Sequence, residues 1–235
     1  MARPSSVSAG HPTDHLLGQC PAMSALRAQI RHLAPFDAVG HASVPTVLLH
    51  GETGMGKGLV ARVIHDSGPR APGPFLEVNC AAIPETLLEA ELFGYEAGAF
   101  TDARRAKPGL FEAASKGTLF LDEIHALPLP LQGKLLTAIE AKQVRRVGAV
   151  AAQAVDVKLI AATQVELSRQ VAAGRFRADL YHRLAVIVLA LPPLRERADD
   201  VVLLAQQALR QSAEGHGLAP KWLSGAAEAW LRDYR

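Results

Sequence analysis

A chain of 235 residues, 49% of them hydrophobic, has room for one sizeable α/β domain with at most a small appendage, and three domains are excluded. Lys and Arg (25) barely exceed Asp and Glu (23), which argues against a dedicated nucleic-acid surface, while two distant cysteines, Cys20 and Cys80, exclude a disulfide framework and point to a reducing cytoplasm. The longest apolar stretch, Leu184 to Leu191, is too short to span a bilayer and runs into Pro192-Pro193, so no membrane contact is expected.

Residues 1–14, rich in Ser, Pro, Ala and His, read as a disordered leader. His11 and His15 are four apart, but Pro12 lies between them and no third ligand is evident, so they read as solvated rather than metal-binding. From residue 15 onward, short β-rich runs alternate with helical patterns, which predicts an α/β fold: a parallel five-stranded sheet sandwiched by helices. The strands expected are Val44 to His50, Phe75 to Cys80, Thr118 to Asp122, Val155 to Thr163 and Val186 to Ala190. Helices are expected at Lys57 to Asp66, Glu85 to Phe93, Leu129 to Ala141, Val165 to Ala173 and Ala178 to Leu184. After Pro192-Pro193, amphipathic stretches at Asp199 to Gln211 and Lys221 to Tyr234 read as the start of a helical lid, which divides the chain into a core at 15–194 and lid residues 195–235.

Three motifs carry chemistry. Leu48-Leu49-His50 leads into Gly51-Glu52-Thr53-Gly54-Met55-Gly56-Lys57, and a helical pattern follows, which is the strand, glycine turn and helix of a phosphate-binding loop. Its backbone N–H groups would surround the phosphates of ATP while Lys57 supplies a point charge. Gly58 stands where a Ser or Thr usually touches Mg²⁺, so metal holding is expected to fall on Asp122 and waters. The apolar run Gly117 to Leu121 delivers Asp122 and Glu123 to the carboxyl edge of the sheet, Asp122 placed for Mg²⁺ and Glu123 for orienting or deprotonating the attacking water. Between these two motifs lies Gly98-Ala99-Phe100-Thr101, followed by Asp102. A large ring with such small or polar neighbours is hard for them to bury, so Phe100 reads as an apolar tip offered to a partner.

With Glu91-Leu92-Phe93-Gly94-Tyr95-Glu96-Ala97 ahead of it, this loop resembles the signature loop of the sigma-54-dependent transcriptional activators, bacterial AAA+ ATPases, over roughly His15 to Arg235. The resemblance implies an AAA+ P-loop NTPase that hydrolyses ATP with Mg²⁺, assembles as a hexameric ring and remodels sigma-54 factor on RNA polymerase through Gly98 to Asp102. It matches Asn79 to an asparagine that restrains the catalytic glutamate, Thr163-Gln164 to a Thr-Asn sensor of the γ-phosphate, and Arg177 and Arg183 to arginine fingers working in trans, while Arg175 reads as solvated or salt-bridged. The family has Glu at the Gly58 position and Gly-Ala where Asp102-Ala103 stands here. Six Asp102 carboxylates around a ring axis would add repulsion beside Phe100, partly offset by Arg104, Arg105 and Lys107, and Asp102 in place of glycine would reshape the tip. The family also continues past Trp230 to Arg235 into a turn and a helix bearing a second sensor arginine, so the lid is expected to be incomplete, with no DNA-binding domain in this chain. Gly58, Gln164 and that missing sensor leave two other readings open: an AAA+ ATPase with another client, or a nucleotide-dependent assembly module with little turnover.

Overall fold

The structure, a computed structural model, describes residues 11–40, 44–197 and 199–234. Residues 1–10 of the expected leader lie outside the described residues. The expected disorder of residues 11–14 is corrected: Pro12–His15 forms a 3-10 turn in which Thr13 is fully buried and accepts a hydrogen bond from Arg31 Nε at 2.9 Å. His11 Nδ1 accepts the Thr13 backbone N–H, and among the described residues no group of three or more His, Cys, Asp or Glu could by itself hold a metal.

In chain order the elements are α1 (Pro21–Leu33), β1 (Val47–His50), α2 (Lys57–Asp66), β2 (Phe75–Asn79), α3 (Glu85–Phe93), β3 (Gly94–Tyr95), β4 (Lys107–Pro108), α4 (Leu110–Ala113) and β5 (Thr118–Asp122). There follow α5 (Leu129–Ala141), β6 (Gln143–Val144), β7 (Gln153–Ala154), β8 (Lys158–Thr163), α6 (Leu167–Ala172), α7 (Ala178–Leu184), β9 (Ile187–Ala190), α8 (Asp200–Gly215) and α9 (Gly225–Asp233). The main sheet runs β2-β5-β8-β1-β9 with every pair parallel, the five strands expected. Three start later than expected, β1 at Val47, β8 at Lys158 and β9 at Ile187. Thr46 gives its hydroxyl to the Arg183 carbonyl while its own carbonyl accepts the Ile187 N–H at 3.2 Å, and Val155 donates its N–H to Lys142 O at 2.9 Å.

Because side chains alternate along a strand, the sheet feeds two cores. Leu48, Leu119, Leu121, Leu159 and Ala161 pack under α3, α5 and α7. Leu49, Phe120, Ile160 and Ala162 pack under α2 and α1, a helix not expected from the pattern although Pro21 opens it and Met23, Leu26 and Ile30 share its buried face. The hairpins β3-β4 and β6-β7 were also unforeseen, each strand being only two residues long.

At the amino edge of the sheet a buried ion network holds the layers together. Arg70 is fully buried, with Nε 3.0 Å from Asp37 Oδ1, Nη2 2.6 Å from Asp156 Oδ1 and Nη1 3.1 Å from Asp156 O. Lys158 Nζ lies 3.0 Å from Asp37 Oδ2, and burial pulls its pKa down against the pull of Asp37. Burial raises the Asp156 carboxyl, but the Arg70 hydrogen bond and the Gly40 N–H outweigh it and hold it below its ordinary 3.8. Arg70→Leu strands two carboxylates and is expected to cost roughly 3–5 kcal/mol, read as a lower urea midpoint at unchanged slope. Since the Asp156 pKa is depressed on folding, its contribution is present above 3.8 and is lost as pH falls through the lowered native value, so the difference between wild type and variant should narrow there.

Candidate functional site

The phosphate-binding loop follows β1 directly, and Gly51 N donates to Thr163 O of β8 at 3.2 Å. Gly54 and Gly56 take φ of +84° and +87°, a left-handed path that turns the chain back into α2. Lys57, only 6% exposed, donates from Nζ to Gly51 O at 3.0 Å and Glu52 O at 3.2 Å, and lies 3.9 Å from Glu123 Oε1. Beyond β5, Asp122 Oδ1 accepts the Glu123 N–H at 2.9 Å, and Glu123 itself sits at φ +50°, ψ 47°. The strand order therefore brings Lys57, Asp122, Glu123 and Thr163 to one carboxyl edge, as expected.

The remaining loop residues are tied to parts distant in sequence. Thr53 Oγ1 donates to Gln164 Oε1 at 2.7 Å, so the longer side chain at 164 reaches across to the loop. Glu52 takes the fork of Arg195 at 2.9 and 2.7 Å, which holds its carboxyl below the usual range, and Met55 O accepts from Arg197 at 3.3 Å. Asn79 Oδ1 accepts the Ala81 N–H at 2.9 Å, capping the turn after β2, and the carboxylate of Glu123 faces Lys57 and His125. Cys80, behind the two acids, is pushed up to about 12 by burial and then by the charge of Asp122, so its thiol is inert.

Arg177 and Arg183 sit at the start and on the exposed face of α7. Arg177 is paired with Asp179 at 2.7 Å, and the Arg183 guanidinium carries no hydrogen bond or ion pair among the described residues. Arg175 donates to Gln170 Oε1 at 2.8 Å.

Sequence reading missed an apolar cavity of about 210 Å³ beside Gly54 to Gly56, walled by Leu16, Leu17, Met23, Leu59, Leu191 and Leu194. Its walls join Leu16 and Leu17 near the start of the chain to Leu191 and Leu194, with His15 and Arg197 beside them, and this mostly apolar lining next to the loop suits a nucleobase. A larger cavity of about 520 Å³ lies under the β6-β7 hairpin, lined by Phe93, Lys134 and Arg145, away from this chemistry. For Mg²⁺, a Cβ at position 58 would meet Glu77 Oε1 at 3.7 Å and Phe120 at 3.8 Å, so a hydroxyl would fit and glycine withholds one. A sparse donor set with Asp122 at the strand end suits Mg²⁺, which takes few protein carboxylates and completes its shell with phosphates and water.

The loop Gly98 to Asp102 stands on the β3-β4 hairpin. Gly98 at φ +82° makes its turn, with Gly98 N to Ala103 O at 2.8 Å and Ala103 N to Phe100 O at 2.9 Å closing the tip around Ala99, Phe100, Thr101 and Asp102. The left-handed residue of the tip is Gly98, and Asp102 lies outside the left-handed region. Phe100 is 45% exposed, as its small and polar neighbours predict, and its ring lies 4.8 Å from that of Tyr95, which covers part of it. Lys107 is drawn to Glu91 at 2.6 Å, which removes it from the neighbourhood of Asp102. Glu96 N to Val147 O at 3.0 Å and Val147 N to Gly94 O at 2.9 Å lock this hairpin to the segment between β6 and β7.

Comparison with known proteins places these parts together. A family model described as the sigma-54 interaction domain matches residues 16–190. The response regulator protein PilR of Pseudomonas aeruginosa is 51% identical over 225 residues, 95% of this chain and 49% of PilR. The anaerobic nitric oxide reductase transcription regulator NorR of Escherichia coli O9:H4 is 47% identical over 220 residues, 94% of this chain and 42% of NorR. Among solved structures, NtrX from Brucella abortus in complex with ADP aligns with a TM-score of 0.84 at 36% identity, covering 94% of this chain and 47% of NtrX. NtrX in complex with ATP aligns at 0.82, covering 93% and 48%. The chain spans about half the length of these relatives, or less.

Lys57→Ala removes the cation nearest the loop carbonyls and is expected to weaken ATP and ADP binding at least tenfold, measured by titration calorimetry, with the thermal midpoint of the free protein little changed.

Proposed function

Because the chain belongs to the sigma-54 interaction domain family, a P-loop NTPase family, we propose that it hydrolyses ATP with Mg²⁺ at the interfaces of a ring. We further propose that it uses the Phe100 loop to act on sigma-54 factor and RNA polymerase in the cytoplasm, thereby activating transcription. The observation that supports this best is the convergence of Lys57, Asp122, Glu123 and Thr163 on one sheet edge, beside an apolar cavity of nucleobase size. On binding, Lys57 exchanges the Gly51 and Glu52 carbonyls for phosphate oxygens. Asp122 would hold Mg²⁺ through water, and the ion would offset the charge of the β and γ phosphates. Glu123 orients the attacking water and takes its proton at a carboxylate oxygen. Gln164, anchored by Thr53, keeps its amide N–H₂ for a γ-phosphate oxygen.

The exposed fingers support completion in trans. Arg183 is free to reach a neighbouring subunit, and Arg177 needs only to exchange Asp179 for a phosphoryl oxygen. The reading is tested by ATPase rate against protein concentration, with and without sigma-54 factor: turnover per subunit rises with concentration if a ring completes the site, and a flat, zero profile overturns it. Arg177→Ala and Arg183→Ala are each expected to abolish turnover while sparing ATP affinity, and mixtures of either with Glu123→Gln should regain activity at interfaces pairing an intact finger with an intact glutamate. At the loop, Phe100→Ala should lose capture of sigma-54 factor in the presence of an ATP transition-state analogue. Asp102→Gly should strengthen that capture at low salt and do so less as salt is raised, since only the charge effect is screened.

A further inference from the structure

Glu123 Oε2 is buried and no donor is aligned on it as a hydrogen bond. The nitrogen nearest to it is Nδ1 of His125, at 3.2 Å. The same Nδ1 lies 3.4 Å from Thr163 Oγ1, which already donates to Val165 O and accepts the Val165 N–H, both at 3.1 Å. The lone pair left on the threonine oxygen therefore takes an N–H, which assigns the proton to Nδ1 of the imidazole. His125 also cannot move independently of the glutamate, since it stands in the 3-10 turn Ile124–Ala126 for which Glu123 is the N-terminal cap residue. Asn79, the residue expected to restrain Glu123, is occupied with Ala81.

We propose that His125 is the positioning residue for Glu123: its Nδ1–H, given to Thr163 and standing 3.2 Å from Oε2, holds the carboxylate by electrostatic attraction so that Oε1 faces Lys57 and the site of the terminal phosphate. This role rests on the ATP-hydrolysing reading above and deepens it. Oε1 then presents its lone pair to the attacking water while Oε2 is held from behind. The link through Thr163 ties the orientation of the base to the strand end that carries Gln164, whose amide is proposed to reach the γ-phosphate.

The experiment is steady-state ATPase with ATP titration and thermal melting on His125→Leu, His125→Asn and the double variant His125→Leu/Glu123→Gln. Leucine keeps the bulk and removes the N–H, so kcat is expected to fall roughly tenfold or more with KM, ATP affinity and Tm little changed, as misplacement of a reacting group does. Asparagine puts an amide N–H near the place of Nδ1 and should restore kcat to within about threefold of wild type. On the Glu123→Gln background His125→Leu should change nothing further, because the group it positions is already gone. A wild-type kcat in His125→Leu, an asparagine variant as slow as the leucine one, or an additive double variant overturns the proposal while leaving ATP hydrolysis standing. A wild-type protein without turnover at any concentration overturns the hydrolytic reading and this role with it.

Discussion

A parallel sheet covered on both faces can carry charge only where its strands end. Here β5 is apolar from Leu119 to Leu121, and β8 from Leu159 to Ala162, with all of these residues buried. Polarity is pressed to the two edges. At the carboxyl edge stand Asn79, Asp122, Thr163 and the loop after His50, and at the amino edge Arg70, Asp37, Asp156 and Lys158. The two sets differ in spacing. Cations at the amino edge meet carboxylates at 2.6 to 3.0 Å, whereas at the carboxyl edge Lys57 rests on the Gly51 and Glu52 carbonyls and stands 3.9 Å from Glu123. Each set holds one carboxylate oxygen, Asp37 Oδ2 or Glu123 Oε2, buried without an aligned hydrogen bond.

The partner loop obeys a different constraint. It lies away from the sheet edge, on two-residue strands too short to be stable alone, and holds its position because each hairpin borrows hydrogen bonds from the other through Val147. The Phe100 ring is shared between Tyr95 and solvent, so presenting it to a partner requires only the loss of one ring contact.

Local signals were the legible ones. The P-loop glycines, the run into Asp122-Glu123 and the helices at 57–66, 85–93, 129–141 and 178–184 are each written in contiguous residues, and the structure repeats those bounds. What escaped was set by distance in the chain. The nucleobase-sized cavity joins Leu16 to Leu191, the Thr53–Gln164 bond spans 111 positions, and Arg70 meets Asp156 86 positions away. Local partners also went unseen: Asn79 caps the turn at Ala81, and the exposed Phe100 leans on Tyr95 five residues back. His125 gave no signal at all, since a histidine after Asp-Glu-Ile is unremarkable until a turn folds its ring back between Glu123 and Thr163.

The backbone of Glu123 has a consequence for how this position tolerates change. A left-handed conformation costs a side-chain-bearing residue roughly 1–2 kcal/mol relative to glycine, and no other residue of the carboxyl edge outside the P-loop carries it among those described. Glycine at 123 would relieve that cost but would also remove the carboxylate that faces Lys57 and His125. Under the proposed hydrolytic role, stability and turnover pull against each other at this position, and a library selected for thermal resistance alone would drift away from the carboxylate there.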